Sequence, residues 1–78
     1  YNNNGLLSQK VNMKIKYDSK VDAMYIELAK GKYDASREIS PSVVVDEDKN
    51  GKVLGIEILD ATENIPAFNP KNISVQTS

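Results

Sequence analysis

Two apolar runs on either side of one acidic turn constrain the fold of this chain more than any other feature. Residues 42–60 read SVVVDEDKNGKVLGIEILD, with valines at 43–45 and a second apolar run at 53–59. β-branched residues favour strands, and Asn-Gly between two such runs is a strong hairpin signal. We therefore predict a β-hairpin at the centre of a small sheet.

The register of this hairpin depends on the length of its loop. A two-residue turn pairs Val45 with Ile56, and a four-residue loop pairs Val45 with Leu54. Either loop places Val45 on the apolar face of the second strand. An odd loop with a glycine bulge would place Val44 there instead, because side chains alternate between the two faces of a strand.

Alternating segments predict further strands on either side. Apolar residues and lysines alternate from Met13 to Tyr17, which is the period of a half-buried strand. Residues 33–39 alternate more weakly, with Arg37 in the apolar row, as is typical of an edge strand. Pro41 then marks a bulge, a bend or an edge, because proline cannot donate to a strand ladder.

Residues 21–29 fit a helix and a strand about equally well. Apolar side chains at positions 21, 24, 25 and 28 have helical spacing. The short length of the apolar part favours a strand, since short helices are marginal. A third interpretation is a short helical turn near 19–23 followed by a strand.

These patterns divide the chain into three parts. We predict a flexible N-terminal extension at 1–12, with Met13 opening an antiparallel β domain at 13–62. The fold class is mainly β, or α+β if the helical turn forms, and the architecture is a small meander of four to five strands. Residues 63–78 form a proline-containing C-terminal segment, and residues 61–70 read as a loop that Phe68 anchors to the sheet. Residues 72–76 form either a short edge strand or a tail that pairs with a partner.

Composition narrows the class of function. The 78 residues include no Cys and no His, so the commonest general base, the thiol nucleophile and the usual transition-metal ligands are missing. We predict no enzyme and no cofactor. The net charge of −1 argues against nucleic acid as the main partner. We find no membrane-length apolar stretch and no secretory leader, and we expect a cytoplasmic location.

The acidic turn matches a calcium-binding pattern. Asp46, Asp48, Asn50, Gly51 and Glu57 fit every fixed position of D-x-[DN]-x-[DN]-G-x₅-E. An EF-hand needs a helix on each side of this loop, whereas these flanks favour strands. In a hairpin, Glu57 also lies several residues along a strand from the turn. We predict no metal site, and binding of a cation or ligand by residues 46–51 is the alternative function.

Two stretches resemble a small prokaryotic domain of unknown function, the family numbered 2283. They are MKIKYDSKVDAMYIEL and SVVVDEDKNGKVLGIEILDA, which lie within residues 13–62. The resemblance implies a compact antiparallel meander, favours a strand at 23–29, and implies that no catalytic residues are established. The matching features are Tyr17-Asp18, the segment 22–26, the valine-rich strand and acidic turn at 43–51, and the strand at 55–61.

The resemblance also bears on function. Members look like short genes beside other short genes, some of which resemble toxins of toxin–antitoxin pairs, and this implies an antitoxin-like binding role. We therefore predict a non-enzymatic protein-interaction module whose apolar sheet face is covered by a second copy, as a homodimer, or by a small protein partner. The proline-containing segment after Asp60 departs from the short helical ending that the resemblance implies for many members.

Overall fold

The computed structural model describes residues 13–77, which form one antiparallel sheet of five strands and one short helix. The prediction of a mainly β, antiparallel fold is confirmed. The elements in chain order are β1 (Lys14–Asp18), β2 (Ala23–Glu27), β3 (Ala35–Ser40), β4 (Val43–Glu47), β5 (Val53–Ile58) and α1 (Ala61–Asn64). The predicted extension at 1–12 lies outside the described residues.

The strand order is β1-β2-β5-β4-β3, so the sheet is a meander only from β3 to β5. After β2, residues 28–34 carry the chain to the opposite edge, and β5 returns to pair with β2. This pairing sets Ile26 of β2 against Ile56 of β5. The exposed strand β3 lies at the edge, as its sequence predicted.

The segment after β1, for which the sequence allowed a helix or a strand, is a turn followed by strand β2. Residues 19–22 form this turn rather than the predicted helical one. Asp22 has a φ of 53°, in the left-handed region that a right-handed helix cannot continue through. The short helix is instead α1, directly after Asp60, where the sequence suggested only a loop. Residues 72–76 form no strand within this chain.

The loop between β4 and β5 has an odd number of residues. The Asp48 N–H donates to the Lys52 carbonyl at 2.9 Å, and the Gly51 N–H donates to the Asp48 carbonyl at 3.0 Å. Gly51 has a φ of 80°, which glycine adopts without strain. These bonds define a three-residue loop with a glycine bulge.

A second irregularity offsets the odd loop. Glu47 pairs with Val53, but Asp46 pairs with Gly55, so Leu54 is an extra residue in β5. This β-bulge moves the register by one residue. As a result the valines at 43 and 45 face the isoleucines at 58 and 56, the pairing expected from a two-residue turn.

The bulged Leu54 anchors the connection between β2 and β3. It is 8% exposed and is one of two buried apolar residues in the described part, with Ala61. Its carbonyl accepts N–H groups from Leu28 at 2.9 Å and Ala29 at 3.1 Å. A Cβ placed on Gly31 would lie 2.8 Å from Leu54 Cδ2, so the connection packs closely on this side chain.

We predict that Leu54→Ala lowers the free energy of unfolding by about 2–4 kcal/mol, because it leaves a cavity beneath the connection. Urea denaturation monitored by circular dichroism measures the change. The matched control is Val53→Ala, one residue earlier and 41% exposed, for which we expect a loss below about 1 kcal/mol. Equal losses in the two variants would contradict the anchoring role of Leu54.

Candidate interaction surfaces

The two faces of the sheet differ in chemistry. Strand pairing places apolar side chains from four strands on one side, which we call the apolar face. The opposite side, the polar face, carries most of the charged residues of the strands. The apolar face comprises Ile15, Tyr17, Met24, Ile26, Val43, Val45, Ile56 and Ile58. The polar face includes Lys14, Lys16, Tyr25, Glu27, Ser36, Glu38, Val44, Asp46 and Glu57.

The C-terminal segment covers the apolar face near β1 and β2. The ring centroids of Tyr17 and Phe68 are 4.9 Å apart, and the two rings meet edge to face. Ile15 and Met24 of the sheet line a groove of about 390 Å³ together with residues 65–74 of this segment. The prediction that Phe68 anchors the segment to the sheet is confirmed.

Among residues 13–77, no such cover lies over the part of the apolar face formed by β3, β4 and β5. Val43, Val45, Ile56 and Ile58 all remain only half-buried. Stable domains pack at least two layers around a core. Here α1, the one helix in residues 13–77, bonds to the turn between β1 and β2 instead. The second layer over this region is therefore missing from the described single chain.

Charge on the apolar face is confined to its margin. The guanidinium of Arg37 on β3 donates to the Glu47 carboxylate on β4 at 2.6 Å. This hydrogen bond and the charge of Glu47 raise the pKa of Arg37. The two charges neutralise each other. The rest of the face presents apolar surface.

Strands β1 and β3 form the two edges of the sheet in residues 13–77, and both carry features that oppose strand addition. The register of edge strand β3 is irregular between Glu38 and Ser40, and Pro41 follows directly. The prediction that Pro41 marks a bulge, a bend or an edge is thus confirmed. Edge strand β1 carries Lys14 and Lys16. Bulges, proline and lysines all disfavour pairing with another strand, so the apolar face is the better surface for association.

Asp22 joins the turn after β1 to the start of α1. Its carboxylate accepts hydrogen bonds from the Tyr17 hydroxyl and the Thr62 hydroxyl, both at 2.6 Å. Its carbonyl accepts the Ala61 N–H at 2.9 Å. The bonds from Thr62, and then from Tyr17, lower the pKa of Asp22. The same carboxylate raises the pKa of Tyr17. Asp22 thus caps the start of α1 from a turn that is distant in the sequence.

We call the hydrogen bonds that Asp22 accepts from Tyr17, Ala61 and Thr62 the Asp22 clamp. We predict that this clamp makes the free energy of unfolding depend on pH in the acid range. A carboxyl whose pKa is lowered by folding stabilises the fold above its ordinary pKa, which is 3.8 for Asp22. That contribution disappears as the pH falls through the folded-state pKa. Asp22→Asn therefore destabilises the protein most near neutral pH, and the difference from the parent shrinks towards about pH 2. Urea denaturation across this range measures it.

Glu63→Gln is the control for the acid-pH measurement, because Glu63 is an exposed carboxyl on α1 outside the clamp. The stability of Glu63→Gln is expected to equal that of the parent at every pH. A difference in unfolding free energy between Asp22→Asn and the parent that stays constant with pH would show that ionisation of Asp22 does not cause the loss of stability.

The residues of the calcium pattern are divided between the loop and the sheet. Asp48 Oδ1 accepts the N–H groups of Asn50 and Lys52, each at 2.9 Å, and so holds the loop together. Asp46 Oδ1 accepts the Ser36 hydroxyl at 2.7 Å on the polar face. Glu57 lies within β5, opposite Val44. Across residues 13–77, no three acidic side chains gather in a metal-binding arrangement.

The polar face contains a cleft that sequence reasoning missed. It has a volume of about 360 Å³ and lies between the sheet and the connection from β2 to β3. We call it the tyrosine cleft. Nothing in the sequence pattern indicates that this connection passes beside the polar face, since its path depends on the Leu54 bulge. The lining residues are Tyr25, Glu27, Ala29, Lys30, Gly31, Tyr33, Asp46 and Leu54.

Ion pairs and hydrogen bonds hold the side chains around the tyrosine cleft. Glu27 contacts Lys30 Nζ at 3.2 Å and Lys16 Nζ at 3.5 Å. The bond from Lys30 is the main cause of the lowered pKa of Glu27. The Tyr33 and Ser36 hydroxyls lie 2.8 Å apart. Because Ser36 also donates to Asp46, a chain of hydrogen bonds runs from the cleft wall to this carboxylate.

The described residues thus define a small domain of one antiparallel sheet, with a partly open apolar face and a cleft on the polar face. The sequence profile of one family, described as "Protein of unknown function (DUF2283)", matches residues 14–61. The chain belongs to this family, as its resemblance indicated. The match runs from the start of β1 to the first residue of α1 and so contains all five strands.

No curated protein and no solved structure matches the chain significantly. The helix found in the described residues is too short to cross a membrane.

Proposed function

We propose that the protein is a non-enzymatic interaction module that forms a homodimer through its apolar face. The observation that carries the proposal is the half-buried valine and isoleucine surface of β4 and β5. So small a domain has a narrow margin of stability, and the chain has no Cys to form disulfides. Covering this face would stabilise the fold and the assembly together.

The distribution of charge favours a second copy as the partner. In a twofold dimer each patch meets itself, so an unpaired charge near the axis would face a like charge. On the apolar face, Arg37 and Glu47 at the margin already neutralise each other. The central valines and isoleucines are compatible with such a self-complementary contact.

The size of the face indicates which other residues take part. Five strands about 4.8 Å apart and roughly 20 Å long cover only about 480 Å² of projected area. A stable interface buries about 800 Å² on each partner. The C-terminal segment adds apolar surface beside the face, since Ile73 is 51% exposed and Val75 is 87% exposed. We therefore include this segment in the proposed interface.

The antitoxin-like role remains a prediction and rests on the resemblance described above. Co-purification of the protein with the product of its neighbouring gene tests it. The same apolar face would then be shared between a second copy and that partner, so that binding of the partner would separate the homodimer.

We predict that Val45→Lys converts the dimer to a monomer, because it buries an unpaired ammonium group in an apolar contact. We expect its dissociation constant to rise by about 100-fold or more, which corresponds to roughly 2.7 kcal/mol. Sedimentation equilibrium over a range of concentrations measures this change, and circular dichroism confirms that the variant remains folded.

Val44→Lys is the matched control. Val44 is the adjacent residue of β4 and is also half-buried, but it lies on the polar face opposite Glu57. This variant is expected to dimerise like the parent. If Val45→Lys unfolds, Val45→Thr provides a milder test with the same expected direction. A monomeric parent at high concentration, or equal effects in the two lysine variants, would contradict the proposed interface.

A further inference from the structure

We infer that the tyrosine cleft binds the ammonium or guanidinium group of a small organic cation, between the Asp46 carboxylate and the side chains of Tyr25 and Tyr33. The cleft lies on the opposite side of the sheet from the proposed dimer interface. The inference therefore does not depend on self-association. It also differs from cation binding by the acidic turn at 46–51, because Asp46 is the one residue of that turn that lines the cleft.

The size and lining of the cleft fit a short ligand with an apolar stem. Its volume of about 360 Å³ is near the lower end of the roughly 300–1,000 Å³ found for small-molecule sites. Leu54 and Ala29 contribute apolar surface. The buried Leu54 is held by hydrogen bonds between its carbonyl and the connection, so this surface exists before any ligand binds.

The Asp46 carboxylate is the main anionic group of the proposed site. Oδ1 accepts the Ser36 hydroxyl at 2.7 Å, and Ser36 in turn bonds with Tyr33. These contacts position the carboxylate without neutralising its charge. Within residues 13–77, the ion pairs involve Glu27 and Glu47, and no lysine or arginine pairs with Asp46.

Two tyrosines supply the aromatic surface that organic cations favour. The hydroxyl end of Tyr25 lies against the backbone of Gly55, where a Cβ would overlap it. The absence of a side chain at position 55 therefore provides the space that Tyr25 occupies. Burial, together with the nearby Asp46 carboxylate, raises the pKa of Tyr25 and keeps its hydroxyl protonated.

Lys30 borders the cleft and forms an ion pair at its rim. Its Nζ lies 3.2 Å from Glu27 Oε2, although the lysine side chain is 72% exposed. Such exposed pairs are weak and readily exchanged. The charges of the lining residues Glu27, Asp46 and Lys30 sum to −1. Glu27 is paired with Lys30 and Lys16, whereas Asp46 has no cationic partner among residues 13–77. A cationic ligand is therefore favoured over an anion at Asp46, and the positive charge of Lys30 beside the cleft opposes its binding.

Titration with three small probes at low ionic strength tests this inference. The probes are n-butylguanidinium, n-butylammonium and the neutral n-butylurea. Amide proton–nitrogen NMR spectra report binding through shifts at residues 25, 29–31 and 33. We expect both cations to produce saturable shifts at these residues and the neutral urea to produce none. The affinities of the two cations show which head group the cleft prefers.

Variants of the cleft assign the contacts. Asp46→Asn is expected to weaken cation binding about tenfold, the effect of losing one charge-assisted hydrogen bond. Lys30→Gln is expected to bind severalfold more tightly, because it removes a positive charge that lines the cleft. Glu63→Gln and Lys71→Gln make the same charge changes at exposed positions outside the cleft. Their affinities are expected to equal that of the parent.

The inference is overturned if n-butylurea shifts the same amides with the same affinity, or if no probe shifts them. It is also overturned if Lys30→Gln and Lys71→Gln behave alike. If Asp46→Asn fails to fold, Ser36→Ala replaces it. That variant leaves the carboxylate in place but removes the hydroxyl that positions it, and it is likewise expected to weaken binding.

Discussion

The bulge at Leu54 is the local constraint on which the rest of this structure depends. The odd loop before it would turn Val45 away from the isoleucines of β5, and the extra residue restores the pairing. The same residue holds the chain as it leaves β2, through two hydrogen bonds to its carbonyl and contact with Gly31. One irregular position thus sets the composition of the apolar face and the path that creates the tyrosine cleft.

The sheet separates two kinds of surface that have different physical requirements. Removing the apolar face from water lowers the free energy of the folded protein, so any partner of complementary shape would stabilise it. The polar face pairs Glu27 with two lysines and presents a shaped cleft, where selectivity depends on charge and hydrogen bonding. Because the two surfaces lie on opposite sides of one layer, occupation of the cleft leaves the apolar face free for a second chain.

The sequence predicts the strands of this fold better than their arrangement. The alternation at Met13–Tyr17 and the valines before the acidic turn identify strands because local burial determines the pattern. The neighbour of β2 is not encoded locally, since Ile26 would pair equally well with several apolar strands. The bulge is also hidden, because Val53-Leu54-Gly55 reads as regular strand. The calcium pattern shows the opposite problem, since Asp48 and Glu57 match a motif, but Asp48 lies in the loop and Glu57 lies in β5.

The cleft could not be predicted from the sequence either. It forms where residues 28–34 cross to the far edge of the sheet, and no spacing of residues along the chain indicates this path.

The pairing of β2 with β5 has a consequence for the order in which the protein can assemble during its synthesis. The first hairpin is synthesised before β5, so one side of β2 stays unpaired until β5 becomes available. Closure of the Asp22 clamp requires Thr62, so it comes later still. The sheet can therefore be completed only when most of the described chain has been made. Until then, the nascent hairpin offers an open strand edge to any neighbouring chain.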